Sequence, residues 1–240
     1  NATHTRFAHS LGVFRIMCRV LGNLRDADLT PDQHAELRLA ALLHDIGHYP
    51  YSHLMERIDD VVLTEEEVVR PESAGKQTIS GATDKYPDHE ALGRHILIKQ
   101  QDIREAVGGV KRARKIGALF SRLDSTDQQL SKLVHSSLDM DRLDYLLRDA
   151  RATGVPHGEI DLDYLLNKTR ISPLGVLGVD VKALAAAEHF LLARMFMHRV
   201  VYYHKTTYGL EEMCRQLLRR VRDSGRYATE LVGTGRAVLE

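Results

Sequence analysis

The sequence has 240 residues, 43% apolar and 28% charged, which is enough for one sizeable core and ordinary for a globular protein. Lysine plus arginine and aspartate plus glutamate number 33 each, so a formal charge of zero gives no global attraction to nucleic acid or to a membrane surface. No apolar run approaches the roughly 20 residues of a membrane-crossing helix, and Cys18 and Cys214 sit in apolar-periodic segments, as free thiols of a reducing, cytoplasmic compartment would.

The chain begins at Asn1 with no initiator methionine, which points to a start cut from a longer protein. A helix is expected from about His9 to Leu24, with Val13, Met17, Val20 and Leu24 on one face. His9 stands at the N-terminal end of that face. Thr30-Pro31-Asp32-Gln33 combines an N-cap threonine, a proline at the first helical position and a capping-box glutamine. The helix it starts turns Leu37, Ala40, Ala41 and Leu43 inward and delivers His44-Asp45 at its C-terminal end.

An imidazole beside a carboxylate is a compact N,O pair suited to Mn, Fe, Zn or Ni. Gly47 and Pro50 stop the helix, so His48 and His53 fall on the turn that follows. A helix end with surface histidines is the plainer reading of this stretch alone, and distant partners have to decide. Residues 55–88 change texture: residues 64–67 fit a short capped helix, and residues 71–76 and 81–84 read as loop, either a lid beside the site or a solvated excursion.

Asp88 then caps a helix through Ile98, with His89 in its first turn. After a basic run over residues 111–115, Ser125-Thr126-Asp127-Gln128 forms a second capping box, from which a long helix is expected to reach about Ala150. Its apolar stripe is Met140, Leu143, Leu147 and Ala150. Asp141, Tyr145 and Asp149 follow one another at i, i+4 and i+8 on another face, with Arg142 and Arg148 adjacent. A short helix over residues 162–167 and a Gly-punctuated hairpin near residues 171–179 come next. A final helix, starting near Asp180-Val181-Lys182, carries Arg194, His198, Tyr202 and Lys205 on one face, a phosphate grip or a solvated face. Beyond them an amphipathic basic segment holds Arg215, Arg219, Arg220 and Arg222, whose default meaning is a surface or oligomer contact.

His9, His44-Asp45 and Asp141 together make an ordered H…HD…D series that resembles the HD superfamily of metal-dependent phosphohydrolases. Four blocks resemble more closely the SAM-and-HD-domain dNTP triphosphohydrolases and their bacterial dGTPase relatives. They are Thr5-Arg6-Phe7-Ala8-His9-Ser10-Leu11-Gly12, the stretch from His44-Asp45-Ile46-Gly47-His48 to His53, Asp139-Met140-Asp141-Arg142-Leu143-Asp144-Tyr145-Leu146-Leu147-Arg148-Asp149, and Met197-His198-Arg199-Val200-Val201-Tyr202-Tyr203-His204-Lys205. The resemblance implies an all-α, mostly helical HD-domain bundle with a small hairpin. It also implies a metal-binding core over residues 1–165 and a helical continuation over 166–240 that completes a nucleotide pocket.

The same resemblance makes His9, His44, Asp45 and Asp141 the ligands of one divalent metal (Mn, Fe, Ni, Zn or Mg), with a further Mg accompanying the triphosphate. It makes His48, His53, Glu56 and His89 the catalytic group, and Arg6, Arg142 and Arg194 the holders of phosphate. Tyr145, Asp149 and Tyr202 would face the deoxyribose. The implied reaction splits a dNTP into deoxynucleoside and inorganic triphosphate, in a homo-oligomer. Ala8 stands where glutamate is common, Arg142 where lysine is familiar and Glu56 where aspartate is familiar, and none of these removes a ligand. Two alternatives are an HD phosphohydrolase for another nucleotide, and a nucleotide or nucleic-acid sensor with little turnover. Net charge gives the nucleic-acid reading no support.

Overall fold

The structure, a computed structural model, describes residues 2–24, 29–58, 88–120, 128–172 and 176–224. Its helices are α1 (Arg6–Asn23), α2 (Pro31–Leu43), the single turn α3 (His53–Glu56), α4 (His89–Lys99), α5 (Gln101–Ala106), α6 (Val110–Ala118), α7 (Gln128–Ser131), α8 (Met140–Thr153), α9 (Leu162–Lys168), α10 (Leu184–Met197) and α11 (Lys205–Asp223). Strands β1 (Thr169–Ile171) and β2 (Leu177–Val179) pair antiparallel with Arg170 opposite Gly178. The chain is therefore a mostly helical bundle with one small hairpin, as expected. Residues 64–67, 71–76 and 81–84, the expected short helix and candidate lid, lie outside the described residues.

The starts are capped as the sequence indicates. Thr30 Oγ1 accepts the Gln33 backbone N–H at 3.2 Å while the Gln33 side chain accepts the Thr30 N–H at 2.9 Å, which closes the capping box of α2. Asp88 accepts the Ala91 N–H at 2.7 Å and starts α4. Helix α1 begins at Arg6, three residues earlier than expected, because the Thr5 side chain accepts the Ala8 N–H and caps it. His9 consequently sits inside the helix rather than at its end.

Helix α8 differs more. The expected single helix from about residue 125 is interrupted: α7 ends at Ser131, and α8 starts afresh at Met140. The cause is Asp139, fully buried, whose carboxylate accepts the N–H groups of Ser136 and Arg142 at 2.7 Å each. A local side-chain acceptor of this kind competes with helix continuation and caps the next helix instead. Within α8 the buried apolar residues are Met140, Leu143, Leu146 and Ala150, so Leu146 rather than Leu147 completes the stripe.

One core joins Val13, Met17 and Val20 of α1, Leu37, Ala40 and Ala41 of α2, Leu143 and Leu146 of α8 and Phe190, Ala193 and Met197 of α10. It locks α1 against α2 and α8, the three elements that carry His9, His44-Asp45 and Asp141. A smaller cluster of Tyr49, Met55, Ile58 and Leu92, with Leu218 and Val221 of α11 against it, supports α3 and α4.

Candidate active site

His44 caps the C-terminus of α2, and its Nδ1 donates to the Ala41 carbonyl at 2.9 Å. That bond turns Nε2 toward the site, 3.2 Å from Asp45 Oδ1 and 3.7 Å from Asp141 Oδ1. Across from it His9 Nε2 lies 3.0 Å from Asp141 Oδ1 and 3.9 Å from Asp45 Oδ2. Two carboxylates and two imidazole Nε2 atoms thus converge from three helices.

The second nitrogen of His9 is engaged too: Nδ1 donates to Asp144 Oδ2 at 2.8 Å, and Arg148 grips Asp144 through Nε at 2.7 Å and Nη2 at 2.9 Å. Gly12 makes room for this chain, since a Cβ there would lie 1.9 Å from Asp144 Oδ1. Asp144 and Arg148 are thus the partners behind His9. The i, i+4 spacing of Asp144 and Arg148 on one helix was a readable signal for the second half of that chain, whereas the reach from Asp144 to His9 was not.

Electrostatics agree with this geometry. Burial resists charge on His9, yet its bonds to Asp141 and Asp144 outweigh that and raise its pKa to about 9. His44 is likewise raised, burial being overcome by Asp141 and Asp45. Burial would lift the Asp45 and Asp141 carboxyls, but His48 beside Asp45, and His44 and His9 beside Asp141, hold both well below the ordinary carboxylate range. His44 Nε2 is buried without a hydrogen-bond partner while facing two carboxylates, an arrangement that a cation bound among them would satisfy. The donor set of imidazole nitrogens and carboxylate oxygens, each imidazole oriented by an outer partner, fits a divalent transition metal. His9, His44 and Asp45 also present ligand atoms within 4.8 Å of one another.

A second cluster adjoins the first. His48 stacks on His89 with ring centroids 4.1 Å apart, and His53 meets both edge-on. Glu56 accepts from His89 Nδ1 at 2.9 Å, from the His89 backbone N–H at 3.2 Å and from His53 Nδ1 at 3.0 Å. Gly47 makes this meeting possible: a Cβ on it would stand 2.0 Å from the His89 carbonyl oxygen and 2.3 Å from the Gly93 nitrogen, so only glycine lets α4 approach the turn.

The paired histidines differ in charge preference. Burial, together with the nearby charges of His89 and Arg6, pushes His48 down despite Asp45. His89 is raised, its burial outweighed by Glu56. Glu56 is held low, because His53 and His89 overcome its burial.

Both clusters face one cavity of about 570 Å³, within the range of nucleotide-sized sites. Arg6, Arg142, Tyr145, Asp149 and Tyr202 also line it. Arg6 donates to Asp45 Oδ2 at 2.9 Å and to Ser52 Oγ at 2.6 Å. Arg142 bonds Asp139, with its Nε buried and unpartnered. Tyr202 OH donates to Asp149 Oδ2 at 2.8 Å, and its ring meets Tyr145 edge-on at 6.0 Å. Burial and the Asp149 charge push the Tyr202 hydroxyl far up, so it stays a donor.

Arg194 does not fall on the lining, although its charge is felt at Tyr145 and His198. The expected line of Arg194, His198, Tyr202 and Lys205 breaks at a π-helical turn over His198–Tyr202, which aims His198 and Tyr202 at the cavity and starts a new helix at Lys205. His4, bonded to Asp149 Oδ1 at 2.5 Å, and the pair His135 and Glu90, 3.1 Å apart, line the cavity and escaped notice in the sequence. Nothing in their local pattern marks them. The basic segment of α11 also differs from expectation: Arg215 is only 8% exposed and donates to the Arg57 carbonyl, turning inward rather than to solvent.

Comparison with known proteins adds the following. A family profile described as "HD domain" matches residues 6–148, and one described as "HD associated region" matches residues 160–233. The protein YwfO of Bacillus subtilis (strain 168) is 28% identical over 92% of this chain and 46% of its own length. A "Deoxynucleoside triphosphate triphosphohydrolase SAMHD1 homolog" of Dictyostelium discoideum is 24% identical over 218 residues, covering 88% of this chain and 39% of its own length. The crystal structure of a phosphohydrolase from Bacteroides thetaiotaomicron VPI-5482 superposes with a TM-score of 0.71 at 30% identity, covering 96% of this chain and 49% of that one. The chain spans less than half the length of each of these proteins.

Proposed function

The chain belongs to the HD domain family, and from that premise we propose that it is a phosphohydrolase that uses a divalent metal to split dNTPs into deoxynucleoside and inorganic triphosphate. The observation that carries this reading is the shared cavity. Into it face His9, His44, Asp45 and Asp141, the three histidines of the His/Glu cluster, and Tyr145, Tyr202 and Asp149. His9, His44, Asp45 and Asp141 would hold the metal, which when bound supplies Lewis-acid polarisation of a phosphoryl oxygen. Manganese, iron, nickel, zinc or magnesium all remain compatible with the donor set.

The residues of the chain divide the remaining work. His48, disfavoured as a cation, is suited to orient or deprotonate water, and His89, favoured as a cation beside Glu56, is suited to return a proton to the leaving 5′ oxygen. His53 shares Glu56 and keeps that carboxylate ionised. Arg6 and Arg142 are placed to receive phosphate oxygens, with Arg194 adding charge from behind. Asp149 would accept the 3′-OH, and Tyr145 and Tyr202 would wall off a 2′-OH. The kinship to a protein named for dNTP triphosphohydrolysis supports the substrate class, and exposed apolar residues such as Leu191, Leu192 and Met213 on α10 and α11 support a homo-oligomer.

The test supplies full-length protein and Mn²⁺ with each dNTP and matching NTP and identifies the phosphorus product by ³¹P NMR. Triphosphate with deoxynucleoside, abolished in Asp45→Ala, is the expected result. Orthophosphate or pyrophosphate as product overturns the assignment.

One observation favours a second reading, a smaller nucleotide phosphate. Arg194 stands off the lining and Arg142 is engaged by Asp139, which leaves fewer cations facing the cavity than a triphosphate calls for. Faster turnover of nucleoside monophosphates than of dNTPs would select it.

A further inference from the structure

Helix α3 carries His53 and Glu56 yet has only four residues, too few to hold itself in water. Its entry is strained. Tyr51 and Ser52 both adopt positive φ, 64° and 56°, a region that non-glycine residues rarely enter and that persists only where the surroundings impose it. Its exit is the Arg57–Ile58 turn, whose N–H groups bond back to the His53 and Met55 carbonyls and whose own carbonyls, past the end of the helix, take partners from outside it.

Those partners come from far along the chain. Arg215 Nη1 donates to the Arg57 carbonyl at 3.2 Å, and Arg219 Nε donates to the Ile58 carbonyl. Arg215 is itself aimed by Glu212, which accepts from its Nε at 2.8 Å. Beneath these bonds Leu218 and Val221 of α11 pack on the cluster of Met55, Ile58 and Leu92. The same helix therefore holds α3 by polar and apolar contacts together, some 160 residues away in sequence.

We propose that Arg215 and Arg219 are positioning residues for the reaction: α11 clamps the Arg57 and Ile58 carbonyls in the turn that ends α3, and so sets the pose of Glu56 between His53 and His89. The inference rests on the catalytic role given above to that trio. The clamp touches neither the four metal-ligand candidates nor the cavity wall of Arg6, Arg142 and Tyr145, which lie on α1, α2 and α8. Its loss therefore separates turnover from binding.

The experiment compares full-length wild-type protein with Arg215→Gln, Arg219→Gln and the double variant, each loaded with Mn²⁺ and supplied with the four dNTPs. Imidazole ¹⁵N–¹H correlations are recorded in parallel on the metal-free proteins. The expected result is a kcat lower by roughly ten- to a hundredfold in the double variant, with KM within about twofold of wild type and bound manganese unchanged. The His53 and His89 resonances move while those of His9 and His44 stay, and lysine at both positions restores part of kcat.

Unchanged kcat and unchanged His53 and His89 resonances overturn the proposal, since α3 would then set itself. A loss of manganese together with a rise in KM overturns it too, because the arginines would then serve the fold at large. Should the double variant fail to fold, Arg219→Gln alone and Glu212→Gln, which leaves the guanidinium but removes its anchor, carry the same comparison. Should wild-type protein hydrolyse no dNTP, the substrate reading fails, and the histidine resonances alone decide the clamp.

Discussion

The two halves of the cavity wall are built on different principles. His9, His44, Asp45 and Asp141 hang from α1, α2 and α8, helices of 13 to 18 residues whose apolar faces form the main core. Each imidazole there is oriented from behind, His9 by Asp144 and His44 by the Ala41 carbonyl. The His48, His53, Glu56 and His89 side rests instead on a turn, a four-residue helix and the first residue of α4, backed by a small satellite cluster and by α11. The His/Asp group is thus held by the main core, whereas the His/Glu group is held by a satellite cluster and a few polar bonds from remote chain. Substitutions on the first side should therefore act on metal, and those on the second on turnover.

The largest expected break is on the ligand side. Asp45→Ala removes one of the four proposed ligands and the carboxylate beside His44 Nε2. Bound metal should fall to background by elemental analysis, and hydrolysis should vanish with it. Retained metal in that variant would sink the site assignment.

On the other side, Glu56→Gln leaves the metal in place and strips His53 and His89 of their shared carboxylate. A fall in kcat of about 10²–10⁴-fold at unchanged metal content is expected. Equal losses of metal in both variants would dissolve the contrast between the two halves.

Asp144→Ala sharpens the comparison from behind the ligands. It should weaken manganese binding by about 10–100-fold in titration calorimetry, while the imidazole resonances of His53 and His89 hold still.

The smallest effect is a pH dependence. The pKa of His9 is raised to about 9 in the folded, metal-free protein, so its contribution to stability is complete below the ordinary histidine value of about 6.5. That contribution, a few kcal/mol at most, is lost as pH rises through 9. Thermal melts of metal-free protein should therefore show lower stability at pH 9 than at pH 6. Saturating manganese, which would occupy Nε2, should flatten that slope, and a slope that manganese leaves unaltered would argue against His9 as a ligand.

Much of this could be read in the chain itself, because the signals are local. Thr30-Pro31-Asp32-Gln33 and Asp88 announce helix starts through side chains that reach only three residues ahead. The apolar period of α1 and the Gly-spaced hairpin are likewise local patterns, and the ordered His/Asp blocks marked out the ligand candidates. The restart of α8 at Met140 was less visible, since a capping aspartate inside an apolar-periodic run competes with a stronger apparent box at residues 125–128.

What the chain order could not disclose depends on distances between elements. The reach from Asp144 to His9 crosses 135 residues, and that from His4 to Asp149 crosses 145. The inward turn of Arg215 and Arg219 looked from sequence like one basic face of an amphipathic helix. Only the packing of Leu218 and Val221 on the cluster of Met55, Ile58 and Leu92 turns that face toward the Arg57 and Ile58 carbonyls just past α3. Periodicity determines which residues share a face of a helix; which neighbour that face meets is decided by the tertiary fold, where hydrogen-bond reach of about 3 Å is tested between segments far apart in the chain.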